Sequence, residues 1–465
     1  MQSQCNSLPS GVQLEIITSW TGGHADALRQ ALRMTNESFA GHLGVAARTV
    51  AYWRKRPDMT PQPAIQEALD AALEQAPDRA KAQFALLVGQ MHANTNSGAD
   101  GTTVPFDIPF DTMTAREWTR DDAHVLTVSF DAALEQSVTA DVERLAHIWL
   151  ISEPPQRIEL RGGRHVSDAL ISAVEHRVTQ LRRADDFVTG PASHELVRRE
   201  LAATGELLCD ASLTEAQARR LLTTIGELAQ LGAWVAADSG LHEQAARYVR
   251  GGVMAARGAC DTPLAANIIS TYSYQVANTG NPNDAAVLAR TAYQGGQRQA
   301  TPVTRALLLE RVAWASARSG DLRSCQNALG SVENNFSSGT RDNDPDWVYW
   351  LNREEVDVMA GRCYTELHLP AKAEILLRNA LGRYDQALIR ENALYLSWLA
   401  EDYVQLGDID QAADIATSMA ALTSHTNSAR TDTRLHHVAK QLAPYRNASA
   451  AREFFDAYES PETGS

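Results

Sequence analysis

The chain is 465 residues long and carries a formal net charge of −15 at neutral pH. That length exceeds what one compact core holds, so two or more domains are expected. Residues 1–60 hold six basic and four acidic side chains, a net of +2, and the remainder carries −17, so contact with nucleic acid is confined to a locally basic head. The five cysteines, Cys5, Cys209, Cys260, Cys325 and Cys363, are scattered and form no CxxC pair. That points away from a disulfide framework or zinc site and toward a reducing compartment. With no apolar run of about 18 residues and no leader-like N-terminus, no membrane contact is expected and the protein is expected to be cytoplasmic.

Residues 1–23 begin polar and carry a short apolar patch at Val12–Ile17. His24 to Arg33 follows as a first helix, with Leu28 and Leu32 four apart on one face. The stretch Asn36 to Lys55, NESFAGHLGVAARTVAYWRK, then reads as a helix, a tight turn and a second helix. Asn36 is a suitable N-cap. Ala40 suits a close helix crossing, Gly44 an open backbone at the turn, and Val50 and Trp53 share the inward face of the second helix. Ala46, Ala47, Arg48, Ala51 and Tyr52 are left on the outward side, with Arg54, Lys55 and Arg56 at the end. A major groove admits one α-helix that carries small residues for approach and long donors for base edges and phosphates.

Counted from Asn36, the small residue at the fifth place, glycine at the ninth and aliphatic residue at the fifteenth match a known register. In this the stretch resembles the lambda-repressor-like (Xre-type) helix-turn-helix family. The candidate contacts to double-stranded DNA are Asn36 and Ser38 for phosphate, and Ala46, Ala47, Arg48, Thr49, Tyr52, Arg54 and Lys55 on the second helix. An ordinary helical hairpin also favours Ala, Gly and Val at crossings.

Pro57, Pro61 and Pro63 end this unit, and helices over Ala64–Gln75 and Ala80–Val88 lead away from it. Residues 1–93 form the expected DNA-binding domain, and 94–113, rich in Gly, Asn, Thr and Pro, the expected linker. Residues 114–210 form a helical connecting region without a clear repeat, with helices near Trp118–Gln136, Val138–Leu150 and Val166–Val188. Arg161-Gly162-Gly163-Arg164-His165 can cradle phosphate, but it lacks the spacing of a nucleotide loop and reads as a plain loop.

Residues 211–465 are an array. Helical hairpins are expected to end at Gly240, Gly280, Gly320, His368 and Gly407, spaced 40, 40, 48 and 39 apart. Seven residues before each stands a small residue, at Ala233, Ser273, Ala313, Gly361 and Ala400. Five after stand Ala245, Ala285, Cys325, Ala373 and Ala412. The pattern resembles the tetratricopeptide repeat with longer units, best at Leu399-Ala400, Tyr403, Gly407-Asp408 and Ala412. The expected fold is therefore all-α: a small helix-turn-helix domain followed by an irregular TPR-like α-solenoid, with capping helices around Arg430–Leu442 and Arg452–Tyr458.

In such an array the first helix of each pair lines the concave face. The residue after each small position is Trp234, Tyr274, Trp314, Arg362 or Glu401. With Asn267, Asn278, Arg311 and Arg318 beside them, these make a candidate surface for a short peptide or protein: rings for contact area, Asn for peptide backbone, Arg for a carboxylate. The same rings could instead pack between repeats. No GxSxG, HExxH, Walker or dinucleotide motif occurs, so no catalytic residue, metal or cofactor is expected, and the chain is not expected to be an enzyme. Asp342-Asn343-Asp344-Pro345-Asp346 starts like a calcium loop, but Trp347 stands where glycine is needed, so it reads as a solvated connection.

A repressor-like head followed by a TPR-like array resembles the RRNPP family of cytoplasmic peptide receptors and kindred actinobacterial regulators. The resemblance implies a homodimeric transcription factor that responds to a signalling peptide, as in quorum sensing. The alternative is a protein-docking adaptor whose head is secondary, and Arg48 and Tyr52 favour the regulator.

Overall fold

The computed structural model describes residues 20–32, 34–56, 59–77, 80, 84, 117–130, 139–158, 160, 163–187, 191–338, 341–424, 426 and 428–459. The expected linker, 94–113, and the patch at 12–17 lie outside the described residues, as does most of the expected helix at 80–88. Two units form, residues 1–104 and 105–465. Among the described residues there are twenty α-helices and four two-residue strands, so the protein is all-α.

The head holds α1 (Gly22–Ala31), α2 (Asn36–Leu43), α3 (Ala47–Lys55) and α4 (Pro63–Glu74). Thr21 starts α1 two residues earlier than the periodicity of its apolar face suggests, because its hydroxyl accepts the His24 backbone N–H. The N-cap of α2 is Thr35 and not Asn36: Thr35 Oγ1 accepts the Ser38 N–H at 3.2 Å, and Asn36 is the first residue inside the helix. Gly44 ends α2 at φ 69, a left-handed turn that glycine adopts without strain. That turn swings α3 back so that Val50 and Trp53 are buried with Leu28, Phe39 and Ala40. Gly22 lies against the end of α3, where a Cβ would come within 2.5 Å of the Arg56 carbonyl oxygen.

The larger unit begins with β1 (Glu117–Trp118), α5 (Arg120–Ser129) and α6 (Thr139–Ile151). There follow β2 (Arg157–Ile158), β3 (Arg164–His165), α7 (Asp168–Asp185), α8 (Pro191–Asp210) and β4 (Ala211–Ser212). β1 pairs in parallel with β2, and β3 with β4. The described part of the Gly-rich basic loop is thus a strand end, with Gly163 at φ 97 pressed on the Asp210 carbonyl. These helices share a unit with the array instead of linking to it. Phe130 and Trp149 press on Gly251 and Gly295 of the array, where a Cβ would meet either ring at 2.2 Å.

Five antiparallel pairs make the array. They are α9 (Glu215–Asp238) with α10 (His242–Gly258), α11 (Thr262–Thr279) with α12 (Pro282–Gly296), and α13 (Pro302–Arg318) with α14 (Leu322–Ser338). The last two are α15 (Arg353–Glu366) with α16 (Pro370–Leu381) and α17 (Ile389–Leu406) with α18 (Ile409–Thr423). Gly240, Gly280, Gly320, His368 and Gly407 fall at the bend inside each pair, so each hairpin ends one helix later than expected. Gly240, Gly320 and Gly407 take φ of 77, 76 and 80, and His368 takes 55. The small residues on either side are all buried. Between the arms of one pair, the Ser273 hydroxyl donates to the Ala285 carbonyl at 3.0 Å. In another, a Cβ at Gly361 would lie 2.7 Å from Leu377 Cγ. The 48-residue interval comes from a long connection between α14 and α15 with a 3-10 turn at Asp346–Val348. Asp346 is not merely solvated, as it binds Arg182 at 3.0 Å and Arg183 at 2.9 Å. The helices α19 (Ala429–Leu442) and α20 (Ser449–Glu459) finish the unit. No described helix is long and apolar enough to cross a membrane.

The ends of the array are tied together. Arg390 at the start of α17 pairs with Asp185 of α7 at 3.5 Å and with Asp238 of α9 at 3.7 Å. Asp238 also accepts the Ser428 hydroxyl at 2.9 Å and pairs with Arg430 at 3.2 Å. Arg390, Asp185 and Asp238 are all buried. Removing one member of a buried ion cluster strands the others, at a cost of about 3–5 kcal/mol. Arg390→Met is therefore expected to destabilise by that amount in denaturant unfolding of the full chain. Arg290→Met, which breaks an exposed pair with Asp321, should cost at most about 1 kcal/mol. Equal effects would show that the cluster does not hold the array closed.

Candidate functional site

On the head, α3 separates its two faces sharply. Val50 and Trp53 are 1% exposed, whereas Tyr52 is 52% exposed. Ala46, Arg48, Lys55 and Arg56 are exposed with it, and Thr49 is half-buried. Ala47 and Arg54 belong to α3, but their side chains lie outside the described residues. Asn36 is half-buried and Ser38 exposed at the start of α2, where the Ser38 N–H is already taken by Thr35.

In the larger unit, closing the array turns its concave face into a cavity of about 750 Å³. Its wall comes from the first helices α9, α11, α13, α15 and α17, and from α7, α19 and the 3-10 turn. Of the candidate surface residues, Trp234, Asn267, Tyr274, Asn278, Arg311, Arg318 and Arg362 line it. Trp314 does not. It is 0% exposed, packed edge-on against Trp398 at 5.4 Å and beside Tyr274 at 6.2 Å. The expectation that Trp314 faces a ligand is corrected: the ring of α17 comes over it and makes it core.

A ladder of rings follows, Trp234 stacked on Tyr274 at 5.9 Å, then Trp314, then Trp398. Arginines lie across these faces, Arg430 over Trp234 at 4.7 Å and Arg434 over Trp398 at 3.5 Å. Arg362 sits 4.5 Å from the Trp314 centroid and donates to the Tyr274 hydroxyl at 2.7 Å. Asn278 does not offer a free amide, since it donates to the Tyr274 carbonyl and accepts the Trp314 indole N–H at 3.2 Å. Arg318 is held by Glu366 at 2.6 Å. The Asn267 side chain makes no hydrogen bond among the described residues although the residue is 4% exposed.

The site also has acidic members, of which Glu401 stands at the register position read from sequence and Glu355 was missed. Burial pushes the Glu355 carboxyl up, and it accepts from the Tyr384 and Tyr395 hydroxyls. Glu401 goes the other way: burial opposes its charge, but His437 and Arg434 outweigh it and hold it at about 2. Trp347, Tyr349 and Trp350 were missed too, because they enter from the long connection and not from a repeat position. Trp398, two residues before the small Ala400, was missed as well. Among the described residues no three His, Cys, Asp or Glu side chains could jointly hold a metal ion. No protein-family model matches the chain, and no curated protein sequence matches it either.

Two outcomes follow from this geometry. Trp314→Ala should cost about 3–5 kcal/mol of stability, the loss expected of a buried indole. A melting temperature close to that of the unsubstituted chain would return Trp314 to the cavity wall. The second concerns Tyr274, where burial opposes ionisation but Arg362, Arg430 and Arg311 outweigh it and bring the phenol to about 8. Because this pKa lies below the ordinary 10, the phenolate adds stability that is fully present above pH 10 and lost as pH falls through about 8. Absorbance at 295 nm should show one tyrosine titrating near pH 8, absent from Tyr274→Phe. The stability gap between the two proteins should shift in favour of Tyr274 between pH 8 and 10. A flat gap counts against the arginine cage.

Proposed function

We propose that the chain is a sequence-specific DNA-binding transcription regulator, with the head reading double-stranded DNA and the cavity of the array holding an effector. The observation that carries this reading is the exposed face of α3. Arg48, Tyr52, Lys55 and Arg56 stand on the side opposite buried Val50 and Trp53. An arginine on a groove-bound helix can pair with guanine O6 and N7, while lysine at the helix end neutralises phosphate. One such helix reads few base pairs, so a homodimer on half-sites about 34 Å apart supplies the needed specificity. The setting is cytoplasmic, where DNA and effector are both reached.

An adaptor is the poorer reading, because docking a folded partner needs a broad open face and here the concave face narrows to a partly closed cavity. A small ligand suits a cavity of about 750 Å³, which falls in the range typical of small-molecule sites. The effector alters DNA affinity only to the extent that it binds the DNA-competent form differently from the other.

Selection of genomic DNA by the purified chain, followed by binding measurements, tests the proposal. Arg48→Ala should lose about 1–3 kcal/mol of preference for the selected site over a random duplex. Lys55→Ala should weaken both duplexes alike and flatten the salt dependence. Identical behaviour of the two variants on both duplexes sinks the assignment.

A further inference from the structure

The cavity wall carries seven arginines against seven aspartates and glutamates, yet the pairing is uneven. Each of the seven carboxylates has a hydrogen-bond donor. Arg182, Arg318, Arg390, Arg430 and Arg434 each have a carboxylate within 4 Å. Among the described residues Arg311 and Arg362 have none. Arg311 is 6% exposed and makes no hydrogen bond or ion pair, touching only ring faces, Tyr274 at 4.7 Å and Trp350 at 5.6 Å. Arg362 is 7% exposed, and its one hydrogen bond is to the neutral Tyr274 hydroxyl. Both guanidiniums lie over the same Tyr274 ring.

Two buried cations sharing one ring without a counter-ion repel each other and are costly to hold out of water. Glu355 faces both arginines from the same wall, but burial pushes its carboxyl up and it accepts from the Tyr384 and Tyr395 hydroxyls. The Glu310 carboxyl does not line the cavity, and burial holds it at about 8, so it is uncharged at neutral pH. The unbonded Asn267 amide lies one face-length along the same helix as Tyr274 and also lines the cavity. A cation pair, a free amide and flat ring faces are the complement of a negative group attached to an apolar body.

We propose that the cavity is a receptor for an organic anion, with Arg311 and Arg362 taking the negative group while Trp234, Tyr274 and Trp350 cover an aromatic or apolar body. This rests on the reading that the cavity holds the effector, and it adds the effector's chemical class. The anion replaces water that cannot neutralise the pair, so the cations favour ligand at the expense of the empty protein. Arg311 is therefore a recognition residue whose removal relieves the empty cavity.

The test uses the full chain and two fluorescent probes of similar shape, 8-anilinonaphthalene-1-sulfonate and the neutral N-phenyl-1-naphthylamine. The sulfonate should bind with one-to-one stoichiometry. Arg311→Gln should weaken it by at least about tenfold, the loss expected of a charge-assisted contact. The neutral probe should change by less than about twofold, because it never used the charge. Arg311→Lys, which keeps the charge, should retain more sulfonate binding than Arg311→Gln. The melting temperature of unliganded Arg311→Gln should stay level or rise. Equal weakening of both probes, unchanged sulfonate affinity, or a clear fall in melting temperature would each overturn the proposal. Displacement of the sulfonate by millimolar inorganic phosphate would overturn the requirement for an apolar body. DNA binding is measured separately on the probe-free chain. If that fails, the regulator reading falls and the probe result stands; if only the probes fail to discriminate, the reverse holds.

Discussion

The structure of the larger unit depends on one buried cluster, Arg390 with Asp185 and Asp238. A helical-pair array left to itself presents an open concave face to water. Here Arg390 from the fifth pair reaches Asp238 at the end of the first pair's first helix and Asp185 at the end of α7, with Ser428 and Arg430 completing the tie. The charges inside are then shielded from solvent, so each of their pairings carries more weight than on a surface. The same residues left on an open groove would be ordinary solvated side chains. Closure makes the uneven pairing matter.

The fold was legible where local chemistry sets it. Left-handed glycines at Gly240, Gly320 and Gly407 mark bends, and small residues on either side mark close crossings. These signals repeat, so pair number and register follow from the residues. The direction of reading was less clear: a glycine bend and a hairpin end look alike in sequence. That is why each pair is offset by one helix from the expected ends. His368 shows the limit of reading bends by glycine, since it adopts φ 55 with a bulky side chain.

The cavity was legible at one register position, whose residues line it in every unit but the third: Trp234, Tyr274, Arg362 and Glu401. Trp234 and Tyr274 lie one residue past their small positions and reach the wall, as that register implies. Trp314 obeys the same rule and is covered, because the longer third interval changes which ring meets which, and Trp398 from α17 closes over it. A repeat rule predicts where a side chain leaves its helix. It does not predict curvature, and curvature decides what then lies in front. The contributions of Arg182, Arg430 and Arg434 depend on the array bending round to meet its own ends, and no spacing in the sequence encodes that.

Net charge behaves in the same way. The chain as a whole is acidic, with a formal charge of −15, yet its two candidate sites both turn on arginine. On α3, Arg48 is exposed, so its charge is screened by salt. In the cavity, Arg311 and Arg362 are desolvated, so their charge acts at short range and is little affected by ionic strength. The charge of one residue type is thus screened in one unit and acts at short range in the other, and burial decides which.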